Sequence, residues 1–239
     1  MSFIDGLYIN LHSFIVTGYP RELAQLAQHL HLPHLPNLVR RFLHCQYPNS
    51  DAESDSESNS EVDITDCPEY TGKIIIYPSA VATFFAPSDP SGMGGMCRER
   101  IRSVSSWRGG SARRDCVFAD QDSSAVGFKA LFVARVQLFF SLRIGRERLP
   151  CALVNWFSTV GDAPCPDTGM WMVEPDLDAD GERVMDVVHL DTLVRGAHLI
   201  GVAGEDHIPR QLKESDSLDA FLSFYVNKYI DYHAHEIAF

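Results

Sequence analysis

The chain has 239 residues, of which 45% are hydrophobic and 22% charged, an ordinary globular composition that excludes wholesale disorder and fibrous architectures. Its formal net charge of −12 disfavours a generic nucleic-acid coat or a membrane-surface protein. No apolar run reaches the ~20 residues of a membrane-spanning helix, and the first residues lack the basic start of a secretory signal. Because the six cysteines form no C-x-x-C pair, we expect a reduced, intracellular protein.

Residues 1–48 are predicted to form a helical segment. Apolar residues recur at helical spacing in 20–30 and again after Pro36, and both helices would be too short to be stable alone, so they must dock on another part of the protein. Residues 49–69 carry eight acidic side chains and no basic one, which predicts a disordered acidic linker. A solvated spacer is the favoured interpretation; a phosphorylated tail or a nucleic-acid mimic is the alternative.

Residues 70–239 are predicted to form a β-rich, barrel-like domain. Runs rich in β-branched and aromatic residues, bounded by Pro and Gly, lie at 73–78, 80–87, 114–119, 130–144, 149–157, 169–175, 184–190 and 197–202. Many short strands at such intervals favour a curled antiparallel sheet or a partly open small barrel. The predicted fold class is therefore α+β, mainly β, with short N-terminal helices and a C-terminal amphipathic helix.

Two segments of this domain carry more detailed expectations. Within 130–144, although Val133 and Phe139 break the alternation, the two-residue period of a strand puts one set of side chains on a single face: Phe132, Ala134, Val136, Leu138, Phe140 and Leu142. Gly145-Arg146 then predicts a hairpin turn. Near the C-terminus, apolar residues recur at helical spacing after a capping Asp216 or Ser217, which predicts one long helix through Leu218, Phe221, Leu222, Tyr225, Tyr229 and Tyr232.

The segment Asp176-x-Asp178-x-Asp180-Gly181 opens like a calcium-binding EF loop. The twelfth position of such a loop should be a bidentate Glu, and here it is Val187. The segment also lies between two predicted strands rather than between helices. We therefore expect a hairpin turn, in which the glycine supplies a positive φ, and no calcium site.

No other metal centre or catalytic constellation is predicted. His189 and Asp191, with His198 or His207, could form a metal site or an acid–base pair, but histidines on strands that bond to backbone or water are the more common case. Neither G-x-S-x-G nor a P-loop is present. The sequence thus predicts no catalytic residue, no metal ligand and no cofactor, and a small hydrolase is the weakest alternative.

Positive charge is concentrated in one part of the chain. Residues 98–148 hold eleven basic and five acidic residues, whereas the rest holds nine basic and 27 acidic ones. Arg98, Arg100 and Arg102 alternate, so an extended strand would project them from one face, and Trp107 beside them is interpreted as a stacking surface. We call the predicted nucleic-acid-binding set the arginine strip: Arg98, Arg100, Arg102, Trp107, Arg108, Arg113 and Arg114.

The arginine strip admits two interpretations that the sequence leaves nearly level. Guanidinium groups make bidentate contacts with phosphates, so the strip could neutralise a nucleic-acid backbone in a salt-sensitive manner. Alternatively, its arginines could pair within the protein with the acidic linker or with another acidic face, since the molecule as a whole is strongly negative.

Five stretches carry a resemblance to a known family. They are PSAVATFFAPSDPSGMGGMCRERIRSVSSWRGGSARRDCVF (78–118), VARVQLFFSL (133–142), PCALVNWFSTVGDAPCPDTGMWMVEPD (150–176), VVHLDTLVRGAHLI (187–200) and DSLDAFLSFYVNKYIDYHAHEIAF (216–239). Together they resemble the region downstream of the catalytic domain in Plavaka-type (CACTA-like) transposases of mushroom-forming fungi. LPNLVRRFLHCQYP (35–48) and the acidic linker resemble the segment just upstream of that region. The strand-rich part is also similar, more distantly, to the bromo-adjacent homology barrel of chromatin proteins.

The resemblance implies a non-catalytic, transposase-derived interaction domain that contacts DNA or chromatin through the arginine strip, in the nucleus. The family's catalytic acidic residues belong to an RNase H-like domain expected N-terminal to this segment, so no catalytic residue is carried over. The alternative is a protein–protein assembly module of a transposase without direct nucleic-acid contact. DNA, chromatin and a full-length transposase are the expected partners; a membrane and a small-molecule substrate are not.

Overall fold

The structure is a computed structural model that describes residues 7–12, 14–47, 64–89, 92–120, 125, 127–204, 208 and 210–238. Most of the predicted acidic linker, residues 49–63, lies outside the described residues, as does His207. The end of that segment is described, and there Ile64–Asp66 forms one turn of 3-10 helix.

The described part of the chain is mainly β, as predicted, and contains few helices. Its strands are β1 (Tyr8–Leu11), β2 (Ile75–Tyr77), β3 (Ser79–Phe85), β4 (Met96–Val104), β5 (Arg113–Arg114), β6 (Cys116–Asp120), β7 (Leu131–Ile144), β8 (Glu147–Thr159), β9 (Met172–Pro175), β10 (Met185–His189), β11 (Leu193–Ala197), β12 (Leu199–Gly201) and β13 (Phe224–Val226). Its α-helices are α1 (Leu23–Leu30), α2 (Leu35–Gln46), α3 (Ser217–Ala220) and α4 (Tyr232–Ile237).

The strands form two antiparallel sheets. The larger one, here the barrel sheet, runs in the order β11-β6-β7-β8-β9-β13-β12, with β2 added to β7 and β10 added to β8, and it is nearly closed. The smaller one, the open sheet, has the order β1-β3-β4-β5. The predicted partly open barrel is thereby confirmed. The hairpin turn at Gly145-Arg146 is confirmed too, because β7 ends and β8 begins on either side of it.

The open sheet covers one face of the barrel sheet. Its inner side chains, among them Ile9, Ala82 and Ile101, share one apolar cluster with Val136 and Leu193 of the barrel sheet. At about 25 cal/mol for each Å² of apolar surface removed from water, such a layer contributes strongly to stability. The open sheet therefore has one buried face, and only its other face is available to a partner.

Helices α1 and α2 pack on a different region of the barrel sheet. Leu26 and Val39 are fully buried there and belong to the same cluster as Ile76 and Phe140 of the sheet. Pro36 lies in the first turn of α2, where its missing N–H costs no hydrogen bond. The two helices thus dock on the β-rich domain, as their short length required.

The predicted single face of strand β7 is wrong, and a β-bulge explains why. The register with β8 shifts between Val136 and Leu138. Val136 therefore faces the open sheet together with Phe139, whereas Leu138 faces the helices. An extra residue reverses the alternation along a strand. The carbonyl of the bulged Gln137 accepts a hydrogen bond from the Ser103 hydroxyl of β4, 2.7 Å away.

The long C-terminal helix predicted from residue 216 onward is also wrong. The chain forms only the short α3, then strand β13, and only later the short α4. Phe224 and Val226 are buried in β13, which pairs with β9 and β12, and the gain from that pairing outweighs the helical spacing of the sequence. Tyr229 and Tyr232, expected on the packed stripe, are exposed instead.

A buried arginine joins the two sheets to the C-terminal segment. The Arg195 side chain, 4% exposed, donates to both carboxylate oxygens of Asp231 at 2.8 and 2.6 Å, and its Nε lies 3.5 Å from Glu99 of the open sheet. The guanidinium lies 4.7 Å from the centre of the Phe84 ring, on which His233 stacks. We call this group the Arg195 clasp.

Both carboxylates of the clasp have further partners. Glu99 also accepts the backbone N–H of Gly196 at 3.0 Å. Asp231 accepts the N–H of Ala234 at 2.7 Å and so caps α4. Burial alone would raise the pKa of Asp231, but the hydrogen bonds from Arg195 and Ala234 outweigh it and hold the pKa below its usual range.

We expect Arg195→Met to destabilise the fold by about 3 kcal/mol, because it leaves two half-buried carboxylates without their cation. Urea unfolding measures the change. The matched control is Arg146→Met, an exposed arginine of the β7–β8 turn, which should change stability by less than about 0.5 kcal/mol. Equal effects of the two substitutions would show that the clasp is not a structural link.

His233 should make stability depend on pH. Burial and the Arg195 charge lower the pKa of His233, so the folded state resists its protonation. The stability that the neutral His233 side chain contributes is complete above its pKa in the unfolded chain, about 6.5, and is lost as the pH falls below that value. Urea unfolding between about pH 7.5 and about pH 5 should therefore show stability falling more steeply in the native chain than in His233→Gln. Parallel pH profiles would contradict this.

Candidate nucleic-acid interface

Strand β4 sorts its side chains between the two faces of the open sheet. Arg98 and Arg100 are exposed and Arg102 is half-buried, while the intervening Cys97 and Ile101 are buried in the core. The alternation arises because successive residues of a strand point to opposite faces. The three arginines thus form a row on the outer face of the open sheet, as their spacing predicted.

The strands beside this row contribute uncharged side chains. Thr83 of β3 stands opposite both Arg98 of β4 and Tyr8 of β1, and it is only 4% exposed because its neighbours cover it. Val81 likewise stands between Arg100 and the exposed Asn10. On this face the described residues of β1 and β3 include no carboxylate, so no cross-strand acid neutralises the row.

The turn between β4 and β5 brings the next part of the arginine strip to the same edge. The N–H of Gly110 donates to the Trp107 carbonyl at 2.9 Å, and the two residues between them, Arg108 and Gly109, have φ values of 51° and 79°. Two consecutive left-handed residues are typical of the tight primed turns of hairpins. For an arginine this conformation costs about 1–2 kcal/mol.

Trp107 lies among three guanidinium groups. Those of Arg102, Arg108 and Arg113 lie 4.6, 5.4 and 5.5 Å from its ring centre. Each such cation–π contact contributes about 0.5–1 kcal/mol near the surface. The ring, interpreted from the sequence as a stacking surface, therefore has its arginine neighbours around it and holds their charges together.

This cluster carries more positive than negative charge. Arg113 forms an ion pair with Asp115 at 2.7 Å, and the same carboxylate accepts the backbone N–H of Arg102. Burial, and then the charges of Arg113, Arg100 and Arg108, lower the pKa of Arg102 despite the opposing effect of Asp115. Within the described residues, no ion pair with a carboxylate is found for Arg98, Arg100, Arg102, Arg108 or Arg114.

Arg114 does not belong to this surface. In β5, Arg113 stands opposite Val104 and Arg114 opposite Ser103, so the two adjacent arginines project to opposite faces. Arg114 lines a cleft of about 650 Å³ between the open sheet and residues 196–199 and 215–218, together with Arg135 of β7. The structure therefore places six members of the predicted set along one edge and Arg114 on the opposite face, although Arg100, Trp107 and Arg113 also line this cleft. Arg135 was not among the site residues predicted from the sequence, because it is an isolated arginine within the apolar run 130–144.

The other candidate groups have structural roles. Nδ1 of His189 accepts the N–H of Asp191 at 3.2 Å, which caps a short 3-10 turn, and His198 lies elsewhere, 3.1 Å from the Asn227 amide. Asp178 accepts two backbone N–H groups within the predicted hairpin turn. Among the described residues no three His, Cys, Asp or Glu side chains are grouped to hold a metal ion, and no helix there is long and apolar enough to span a membrane.

Comparison with known proteins finds no matching family model, no matching curated protein and no matching solved structure.

The Arg108 turn yields a prediction about stability. Arg108→Gly should leave the free energy of unfolding within about 0.5 kcal/mol, because relief of the left-handed backbone offsets the lost cation–π contact. Gly109→Ala should cost about 1 kcal/mol by backbone strain alone, since the added methyl group meets no atom within 4 Å. Urea unfolding of both variants checks this; a neutral Gly109→Ala would contradict the turn geometry.

Proposed function

We propose that the chain is a non-catalytic, transposase-derived interaction domain that binds the phosphate backbone of DNA with the outer face of its open sheet. The observation that carries the proposal is the row Arg98, Arg100 and Arg102, which continues into the Trp107 cluster. The row has no carboxylate partner in the described part of the chain. A solvent-facing group of guanidiniums without counter-charges is an anion-binding surface.

The dimensions of the row suit a nucleic-acid strand. Alternate residues of a strand lie about 6.8 Å apart, so the three arginines span roughly 14 Å. One strand of B-form DNA carries a negative charge about every 3.4 Å along the axis, so this span corresponds to about four phosphates. Phosphate contacts position a protein on DNA without reading its bases, so we expect binding with little sequence preference.

The strongly negative charge of the chain as a whole does not oppose this mode of binding. The field near a surface is dominated by charges within about one Debye length, roughly 8–10 Å in physiological salt. Around Trp107 the near charges are those of Arg100, Arg102, Arg108 and Arg113 against Asp115. The remaining acidic surface would instead orient the protein, with the open sheet turned towards the DNA.

The transposase origin rests on the resemblance of residues 78–118 and the four later stretches to Plavaka-type transposases. The first of these stretches includes β3, β4 and β5, so it contains the whole arginine strip. A chromatin-associated role in the nucleus of a fungal cell follows from the same resemblance and from the distant likeness to bromo-adjacent homology barrels. In this proposal the full-length transposase is a further partner.

The test is a filter-binding titration of duplex DNA at increasing salt concentration. Arg98→Gln/Arg100→Gln should reduce affinity and lower the slope of log K against log salt by about 2, close to 0.9 for each lost phosphate contact. The matched control, Arg143→Gln/Arg146→Gln, removes the same charge from the β7–β8 hairpin of the barrel sheet and should leave the slope unchanged.

Three outcomes would contradict the proposal. They are no retention of DNA at low salt, equal losses of affinity in the two double variants, and a slope of log K against log salt that neither double variant changes. If the chain instead self-associates or captures the full-length transposase without binding DNA, the assembly-module alternative is favoured. Light scattering at the same protein concentrations distinguishes these cases.

A further inference from the structure

A second group of arginines gathers at the cleft, which is also lined by Arg100, Trp107 and Arg113 of the arginine strip. Arg114 of β5 and Arg135 of β7 both line the cleft. Arg183, which follows the Asp178 turn, approaches the carboxylate of Asp219, as Arg135 does. Arg135 donates to Asp219 at 2.7 Å, and the Arg183 guanidinium lies 3.7 Å from the same oxygen. Arg114 is near enough to interact electrostatically with both Arg135 and Asp219, so three guanidiniums gather near one carboxylate.

This group has unused hydrogen-bonding capacity. The Arg135 side chain is only 11% exposed, and its buried Nε has no hydrogen-bond partner among the described residues. The same is true of the buried Nη1 of Arg183, whose Nη2 donates to the Leu218 carbonyl. Arg114 has no carboxylate partner in the described part of the chain. Buried donors without acceptors are costly, and they mark a place where an acceptor can bind.

Two other cations that line the cleft already have their counter-charges. Arg195 is paired with Asp231 and Glu99, and Arg113 is paired with Asp115. Apart from Arg100 of the outward row, which also lines the cleft, the uncompensated charge lies on Arg114, Arg135 and Arg183, whose formal charge with Asp219 is +2. Burial, together with the positive charge of Arg135, lowers the pKa values of Arg114 and Arg183.

We propose that Arg114 and Arg135 of the cleft behind β5, together with Arg183 beside Asp219, form a binding site for a phosphate group. A phosphate dianion balances the charge of +2, and its oxygens supply acceptors for the orphaned guanidinium N–H groups. Arginine's planar fork suits such an oxyanion better than a lysine would. The exposed Asp219, 59% accessible, occupies the site in the absence of phosphate and competes with it for Arg135.

The first experiment titrates the whole chain with inorganic phosphate at constant ionic strength, with chloride as the balancing anion. Binding should raise the melting temperature with increasing phosphate concentration. Arg114→Gln should weaken phosphate binding by about tenfold. Because the Arg114 side chain makes no hydrogen bond or ion pair within the described residues and is half-buried, the variant should fold; its melting temperature in chloride alone checks this. Arg146→Gln, with the same change of charge, is the control and should bind phosphate like the native chain.

A second variant separates a binding role from a merely structural one. Asp219→Asn removes the competing carboxylate, so it should strengthen phosphate binding several-fold even if it lowers the melting temperature in chloride. A structural role alone would make Arg114→Gln and Asp219→Asn change phosphate binding in the same direction or not at all. Opposite changes in affinity support the site. No phosphate dependence in the native chain, or equal affinities in all four proteins, overturns it.

A further arm identifies the source of the phosphate. A single-stranded oligonucleotide with a 5′-phosphate is compared with the same oligonucleotide ending in a 5′-hydroxyl. Preference for the phosphorylated end, lost in Arg114→Gln, assigns the site to a nucleic-acid terminus. If the two oligonucleotides bind equally and inorganic phosphate still binds, the site is assigned to a small phosphorylated ligand. The phosphate experiments vary Arg114 and Asp219, whereas the duplex-DNA titration varies Arg98 and Arg100, so failure of one proposal can be distinguished from failure of the other.

Discussion

The architecture depends on the Arg195 clasp, because it is the point where both sheets and the C-terminal segment meet. Arg195 belongs to the barrel sheet, Glu99 to the open sheet, and Asp231 to the turn that begins α4. A buried guanidinium is expensive unless it is paired, so the sheets are held at the separation at which both carboxylates reach it. That separation also leaves the cleft, of which Arg195, Glu99 and Asp231 form part of the wall.

The same pairing explains how a protein of net charge −12 can present a positive face. Glu99 and Asp231 are used by Arg195, Asp219 by Arg135, and Asp115 by Arg113. Glu99 lies on the inner side of the open sheet, Asp219 and Asp231 belong to the C-terminal segment, and Asp115 follows β5, so each is paired with a cation outside the row of β4. The outward row of β4 receives none of them. Charge segregation along the sequence thereby becomes segregation between two faces of one sheet.

Local pattern was sufficient to predict the strand-rich domain, both N-terminal helices and the outward row of arginines, since each depends on neighbours within a few residues. It was insufficient where distant strands decide the outcome. The bulge at Gln137 is stabilised by Ser103, which is 34 residues away. Residues 224–226 form a strand because β9 and β12 offer it partners on both sides. Helical spacing in the sequence carries no information about such partners, so the prediction failed there.

In the candidate site, local sequence pattern also failed to separate two adjacent residues. Arg113 and Arg114 are neighbours in one basic run, and composition alone assigns them to one surface. Their registers in β5, opposite Val104 and Ser103, send them to opposite faces. Arg113 lies beside Trp107, whereas Arg114 projects from the opposite face near Arg135, although both arginines line the cleft. A strand of two residues is enough to divide the cluster, because side chains alternate strictly along extended backbone. The functional unit of this protein is therefore a sheet face and not a segment of sequence.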